Sequence, residues 1–165
     1  MSSFLAKLDE TRPCRYAFKS RLWNVDIGAY GSPVNVLLDT GSFNTIIHKS
    51  LAVRYGVVLE KTMKVSVGGF RGDANICILH KMNIGGYDME KVIALAVPFG
   101  GELHNHILLG ANVTNNWEFT LSRLKNRLTV IEEFSEAAQK REYPYRYCFN
   151  NKGQVIGFQE FEEFD

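Results

Sequence analysis

A single carboxylate at the end of an apolar run is the feature of this chain with the clearest chemical potential. Residues 37–42 read Leu-Leu-Asp-Thr-Gly-Ser. The two leucines predict the end of a buried strand, and Thr40 and Gly41 predict a sharp turn around Asp39. A carboxylate held in this way can exchange a proton with a bound water molecule. The same residue types are common in ordinary loops, so a purely structural turn is the alternative interpretation.

Two further segments favour the chemical interpretation. Residues 107–110 form a second apolar run, Ile-Leu-Leu-Gly, that ends in glycine as the first run ends in Asp39. Between the two runs, residues 67–73 read Val-Gly-Gly-Phe-Arg-Gly-Asp. We predict that these glycines mark a mobile hairpin tip, with a plain β-turn as the alternative.

The order of these parts resembles that of the retropepsin-like aspartic proteases, the single-domain relatives of the retroviral proteases. In that family a strand leads into an Asp-Thr-Gly turn, a glycine-rich hairpin flap follows, and a second apolar run ends in glycine before a short helix. The resemblance covers residues 16–131. It implies a mostly β fold, built as a closed β-barrel with a flap hairpin and one or two short helices.

The resemblance also implies that a second copy of the chain completes the site. Two facing carboxylates share one proton, so that one accepts a proton from water while the other donates a hydrogen bond to the scissile carbonyl. The motif occurs once in the 165 residues, and a homodimer would therefore contribute two Asp39 carboxylates. By the same resemblance Thr40 bridges the dimer axis and Gly41 lets the backbone approach the carboxylate. Ser42 would donate a hydrogen bond to Asp39.

The activity implied is endopeptidase cleavage of an extended peptide or protein substrate, with neither a metal nor an organic cofactor. The substrate-binding positions carried over are Val67, Gly68, Gly69, Phe70 and Asn44. Two other interpretations stay open. One is a catalytically inactive member of the fold that serves as a peptide-binding or dimerisation module, and the other is a small regulatory protein that acts through its C-terminal segment.

One departure from the retroviral pattern concerns the dimer. Many retroviral members carry an arginine directly after the glycine that ends the second apolar run. They pair this arginine with an acidic residue just past the Asp-Thr-Gly turn. Here Ala111 and residues 43–44, Phe-Asn, occupy those places, so both charges are missing together and no buried charge is left unpaired. We therefore expect dimer contacts that differ from the retroviral ones.

The composition limits the other classes of function. The formal net charge is +1, which gives no electrostatic case for a nucleic-acid partner. No apolar run reaches the roughly 20 residues that span a bilayer, so no membrane partner is expected. Cys14, Cys77 and Cys148 are widely spaced and predict free thiols in a reducing cytoplasm. His104 and His106 have no evident cysteine or carboxylate partner in the sequence, so the two histidines do not predict a metal site.

Alternation of apolar and polar residues predicts strands along most of the chain. The strands are predicted over residues 23–27, 34–38, 45–48, 64–67, 75–78, 82–84, 92–97, 120–124 and 127–131, with short helices over 49–55 and 114–119. We divide the chain into an N-terminal extension (1–15), a retropepsin-like domain (16–131) and an acidic C-terminal extension (132–165). The last of these is expected to hold a hairpin built from residues 145–149 and 154–158.

Overall fold

A computed structural model of the protein describes residues 2–11, 16–39, 42–67, 70–98, 106–132, 145–149 and 155–160. Most of these residues lie in strands, and two short helices interrupt them. In chain order the elements are β1 (Ser2–Lys7), β2 (Ala17–Asn24), β3 (Ala29–Tyr30), β4 (Val34–Leu38), β5 (Thr45–His48), α1 (Lys49–Tyr55), β6 (Gly56–Val67), β7 (Phe70–Ile84), β8 (Tyr87–Val97), β9 (His106–Leu109), α2 (Ala111–Thr114), β10 (Trp117–Ser122), β11 (Arg127–Glu132), β12 (Tyr145–Phe149) and β13 (Val155–Glu160).

Six strands close into a barrel. Their order is β2-β4-β9-β5-β8-β7, and β7 returns to pair with β2. Closure leaves no open edge among these strands, while β3 and β6 attach to β2 and β7. The predicted mostly β fold, with a closed barrel, a long β6–β7 hairpin and two short helices, is confirmed.

Parallel pairing places the ends of β4 and β9 side by side. Leu37 and Leu38 lie opposite Leu108 and Leu109, and β5 pairs with β8 in the same parallel manner. Parallel neighbours finish at the same edge of a sheet. The residues that follow β4 and β9 are therefore brought together, although they are far apart in sequence.

Apolar side chains pack on both faces of β8, which explains its unbroken apolar sequence. All residues from Val92 to Val97 are buried, as expected for a strand that is covered on two sides. Ala94 and Ala96 face the main core inside the barrel. The opposite face contributes to a smaller group, which we call the second cluster; it consists of Ile46, Ala74, Ile76, Ile93, Leu95 and Val97.

A separate three-stranded sheet has the order β1-β11-β10, and β12 pairs with β13 in an antiparallel hairpin. Phe4 on β1 stacks on Tyr87 at 5.0 Å between ring centroids and meets the Trp117 ring edge-on at 5.5 Å. The contact with Tyr87, which begins β8, joins the three-stranded sheet to the barrel, whereas the contact with Trp117 lies within the sheet. The predicted domain boundaries stay a prediction, although β1 lies within the expected N-terminal extension.

Three predicted elements were wrong in position, one of them the strand expected over 120–124, because β10 spans Trp117–Ser122 and residues 123–126 form a turn. The strand expected over 23–27 is β2, which ends at Asn24, and residues 25–28 form a turn that exposes Val25 and Ile27. The helix expected over 114–119 is α2, which ends at Thr114, because Trp117, Phe119 and Leu121 alternate along β10 instead. The β6–β7 hairpin is also longer than the segments predicted for it. Neither helix in the described part of the chain is long and apolar enough to cross a membrane.

Candidate active site

Asp39 follows directly after β4, at the edge where β4 and β9 finish together. Its backbone N–H donates to the carbonyl oxygen of Leu109 at 3.0 Å, which extends the parallel pairing by one residue. The residue is half-buried. Two adjacent strands thus hold the backbone of Asp39, while the carboxylate lies beyond the last apolar side chains of β4.

The loop after Asp39 turns back on itself. The N–H of Ser42 lies 3.4 Å from the carbonyl oxygen of Asp39, and the Ser42 hydroxyl donates to the carbonyl oxygen of Asn44 at 3.0 Å. A hydroxyl has one proton. Donation from Ser42 to the Asp39 carboxylate, which we expected from the sequence, would require this hydroxyl to rotate. Thr40 and Gly41 lie outside the described residues.

Helix α2 braces the same loop. The N–H groups of Ala111 and Asn112 donate to the carbonyl oxygens of Ser42 and Phe43 at 2.7 and 2.8 Å. The first N–H groups of a helix have no partner within the helix, and here the loop supplies two of the acceptors. The segment after β9 therefore fixes the segment after β4.

A buried polar network lies beneath these contacts. The Thr45 hydroxyl donates to Asn112 Oδ1 at 2.8 Å and accepts from the N–H of Gly110 at 3.1 Å. Asn112 Nδ2 donates to the carbonyl oxygen of Ile93 at 2.8 Å. Thr45 and Asn112 are almost fully buried, so each polar group finds a partner inside the protein.

Sequence reasoning did not identify Thr45 or Asn112 as parts of the site. The two residues lie 67 positions apart in the sequence. The available signals were two polar residues: Thr45 at the start of an apolar strand, and Asn112 shortly after Gly110, the glycine that ends the second apolar run. Both are common in unremarkable loops, and only the tertiary structure shows that they meet.

Gly110 is required by close packing rather than by its backbone angles. Its φ of −96° is accessible to any residue. A Cβ built on Gly110 would overlap the carbonyl group of Asn44 and would lie 2.7 Å from the carbonyl oxygen of Phe43. The glycine that ends the second apolar run thus allows the Asp39 loop to lie against the start of α2.

The predicted substrate-binding positions fall on two elements. Asn44 is half-buried in the Asp39 loop, and Val67 and Phe70 are backbone partners in the pairing of β6 with β7. Phe70 packs on the second cluster, as does Phe43 from the Asp39 loop. The structure therefore brings the hairpin end and the Asp39 loop to one apolar surface. Gly68 and Gly69 lie outside the described residues.

Within the described residues, no group of three or more His, Cys, Asp or Glu side chains is placed to hold a metal ion. His106 begins β9 opposite Asn35, whereas His104 is not among the described residues. Cys77 is buried in the main core, and burial raises the pKa of its thiol to about 12.

Comparison with known proteins places this geometry in a family. The aspartyl protease family model matches residues 23–113, which is more than half of the chain. No curated protein sequence matched. Among solved structures, the chain is similar to the crystal structure of a retropepsin-like aspartic protease from Rickettsia conorii, with a TM-score of 0.51 and 12% identity over 78% of this chain and 89% of that chain. At that identity the likeness concerns the fold. The matched residues contain Asp39, both apolar runs and the β6–β7 hairpin, and the chain therefore belongs to the aspartyl protease family, with a retropepsin-like fold.

Proposed function

We propose that the protein is an aspartic endopeptidase that acts as a homodimer, with a water molecule activated between the Asp39 carboxylates of two chains. The observation that carries the proposal is the position of Asp39 at the joint end of two parallel strands. Its backbone is hydrogen-bonded to Leu109, and its loop is fixed by α2. Family membership supports the same reading.

The chemistry follows from placing two such carboxylates close together. Both cannot be ionised at low cost, so the pair keeps one proton. The ionised carboxylate takes a proton from water as the water attacks the peptide carbonyl. The protonated one donates to the carbonyl oxygen, and no covalent intermediate forms. A loop held by backbone hydrogen bonds suits this role, because small displacements of an acid–base group reduce the rate strongly.

The surface next to Asp39 fits an extended peptide. Phe43, Phe70 and Leu108 border the second cluster and offer apolar contacts to substrate side chains. By the family resemblance the β6–β7 hairpin is the flap, under which an extended peptide would bind as an added strand. We infer a preference for apolar side chains beside the cleaved bond.

Asp39→Asn tests the proposal directly. The amide keeps the shape of the side chain but cannot share or accept the proton, so hydrolysis of a peptide library should fall by at least roughly 10²–10⁴-fold. The matched control is Asp26→Asn, the same change on an exposed turn residue, which should cleave at the parent rate.

Circular dichroism and light scattering of both variants should match the parent protein, so that lost activity reports chemistry and not folding. An Asp39→Asn protein that cleaves peptides at the parent rate would refute the assignment. A parent protein that binds library peptides without cleaving them would instead favour the peptide-binding module.

A further inference from the structure

His48 caps the start of α1 with its side chain. The backbone N–H of Ser50 donates to Nδ1 of the imidazole at 3.1 Å, and the Ser50 hydroxyl lies 2.8 Å from the same nitrogen. The first N–H groups of a helix have no carbonyl partner within the helix, so the side chain before the helix supplies one. An imidazole nitrogen accepts a hydrogen bond only when it carries no proton, and this cap therefore requires the neutral ring.

Helix α1 leads directly into the β6–β7 hairpin. The helix ends at Tyr55, and β6 begins at Gly56 with no residue between them. The N–H of Gly56 donates to the carbonyl oxygen of Ala52, and a Cβ on Gly56 would lie 2.6 Å from the carbonyl oxygen of Ile78 on β7. The end of α1 and the base of the hairpin are thus joined by the chain, by a hydrogen bond and by close packing.

The first turn of α1 has little else to hold it. The helix has seven residues, and isolated helices shorter than about 12 residues are marginally stable in water. Ala52 and Tyr55 are buried in the main core, but Lys49 and Ser50 are exposed. The core therefore holds the second half of the helix, whereas the first half depends on the His48 cap.

We propose that His48 is a positioning residue for the β6–β7 hairpin and holds it through α1 only while the imidazole is neutral. An unperturbed histidine takes up a proton near pH 6.5, so the cap is present at neutral pH and is lost as the pH falls. Without the cap the first turn frays and the base of the hairpin loosens. The effect on peptide binding rests on the proposed function, in which this hairpin covers the substrate.

The elements next to His48 offer no carboxylate that would stabilise a protonated ring. Strands β5 and β9 and helix α1 contain no Asp or Glu, and the ionisable residues of α1 are Lys49, Arg54 and Tyr55. On β8 the partner of His48 is Val97. On β9 the register of Ile46 with Leu108 puts His106, a second titratable ring, at the position opposite His48. The partial positive charge at the start of a helix also opposes protonation.

The carboxylates on the other strands that pack against α1 have cationic or polar neighbours of their own. Asp73 on β7 and Glu90 on β8 lie opposite Lys64 and Lys81. Asp88 accepts a hydrogen bond from Tyr30, and it lies with Glu90 at the far end of β8 from Val97. Glu60 on β6 is exposed. Protonation of His48 therefore removes the cap without creating an ion pair on its own strand, on β9 or on α1.

Amide hydrogen exchange of the full-length chain, measured by NMR, tests the cap without a substrate. The parent is compared with His48→Asn, since asparagine caps a helix at any of these pH values, and with His48→Ala, which cannot cap. Protection of the α1 and Gly56 amides, corrected for the intrinsic exchange rate, should fall roughly fivefold in the parent between about pH 7.5 and pH 5.5. It should stay high in His48→Asn and low in His48→Ala.

Two control variants carry the same change at the other histidines that the structure describes. His80→Asn on β7 and His106→Asn on β9 both leave His48 in place. Each should keep the acid-induced fall in protection that the parent shows. A fall that disappears in either control, but persists in His48→Asn, would assign the titration to the wrong ring and overturn the inference.

Peptide cleavage kinetics test whether the cap acts on the hairpin. The ionisation of the Asp39 pair affects parent and His48→Asn alike, so the ratio of the parent KM to the variant KM isolates the histidine. This ratio should rise roughly fivefold between about pH 7.5 and pH 5.5, because a loosened hairpin holds the peptide less tightly, while the ratio of kcat values stays constant.

The inference is wrong if the parent keeps its protection in acid, if His48→Asn loses it as the parent does, or if the KM ratio does not change with pH. A chain that cleaves peptides with a constant KM ratio refutes the inference alone. A chain that cleaves no peptide refutes the protease. The dissociation constant of a library peptide then takes the place of KM in the same ratio, and a constant ratio again overturns the inference.

Discussion

Thr45 and Asn112 are the residues through which three separate segments of the chain meet. Thr45 begins β5, Asn112 lies in α2, and their hydrogen bonds reach Gly110 and the carbonyl of Ile93 on β8. The two side chains carry no charge, and the backbone N–H of Asn112 also donates to the carbonyl oxygen of Phe43 in the Asp39 loop. We therefore infer that the two residues position this loop.

Thr45→Val tests this role, because valine keeps the shape of threonine and removes the hydroxyl. The change leaves Asn112 Oδ1 and the Gly110 N–H without this partner in a buried setting, which should lower the free energy of unfolding by about 1–3 kcal/mol. Urea denaturation measures the loss, with Thr62→Val, an exposed position on β6, as the control. Equal stability of the two variants would show that the network does not contribute.

At the scale of elements, a polar cluster on β7 and β8 holds the short strand β3. The Tyr30 hydroxyl donates to Asp88 on β8, and Asn83 Nδ2 donates to the same carboxylate at 2.8 Å. Lys81 Nζ lies 4.6 Å from the centre of the Trp23 ring. Burial and the hydrogen bond to Asp88 raise the pKa of Tyr30 to about 12. Burial opposes ionisation of Asp88, but the hydrogen bonds from Tyr30 and Asn83 outweigh it and lower the pKa of Asp88.

Asp88→Asn should therefore destabilise the protein in a pH-dependent way. A carboxyl whose pKa is lowered by folding adds stability above its unfolded pKa of about 3.9, and this contribution is lost as the pH falls through the folded-state pKa. We expect the variant to melt about 1–4 °C below the parent at pH 7, with the difference vanishing below the folded-state pKa. Melting curves of Asp26→Asn over the same pH range provide the control. A difference that persists or grows in acid would contradict the assigned stabilisation.

At the scale of the whole molecule, the proposed mechanism makes activity a property of two chains. The rate per chain should fall when the protein is diluted below its dimer dissociation constant.

Mixing the parent with an equal amount of Asp39→Asn chain should reduce the activity per parent chain to about half, because half of the parent chains then sit in mixed dimers with one working carboxylate. The pH profile of the parent should be bell-shaped, since only the pair with one shared proton is competent.

The measurement is a peptide cleavage assay over a concentration series, run beside light scattering on the same samples. A strictly monomeric protein with full activity would rule out the shared site. So would a mixture with Asp39→Asn that keeps the full parent rate.

The parts of the fold that could be predicted are those determined by residues that lie close together in the sequence. Alternation along β4 and β11 predicted strands, and the apolar run before Asp39 predicted its position at a strand end, whereas the closed barrel was implied by the family resemblance. Residues 114–119 were misplaced because a four-residue helix leaves too little periodicity to locate, whereas the alternation of Trp117 and Phe119 belongs to a strand. The Thr45–Asn112 contact and the pairing of β1 with β11 could not be predicted, since both join residues that are distant in sequence.

The pairing of β1 with β11 also sets an order of events while the chain is being made. Leu5 pairs with Thr129, so β1 is synthesised well before its partner strand and this sheet can form only after β11 has left the ribosome. During that interval Phe4, Ala6 and Leu8, all buried in the finished protein, are exposed together with an unpaired strand. Distant pairings of this kind slow folding and leave apolar strands open to wrong partners. β1 therefore stays open to such contacts until β11 has been made.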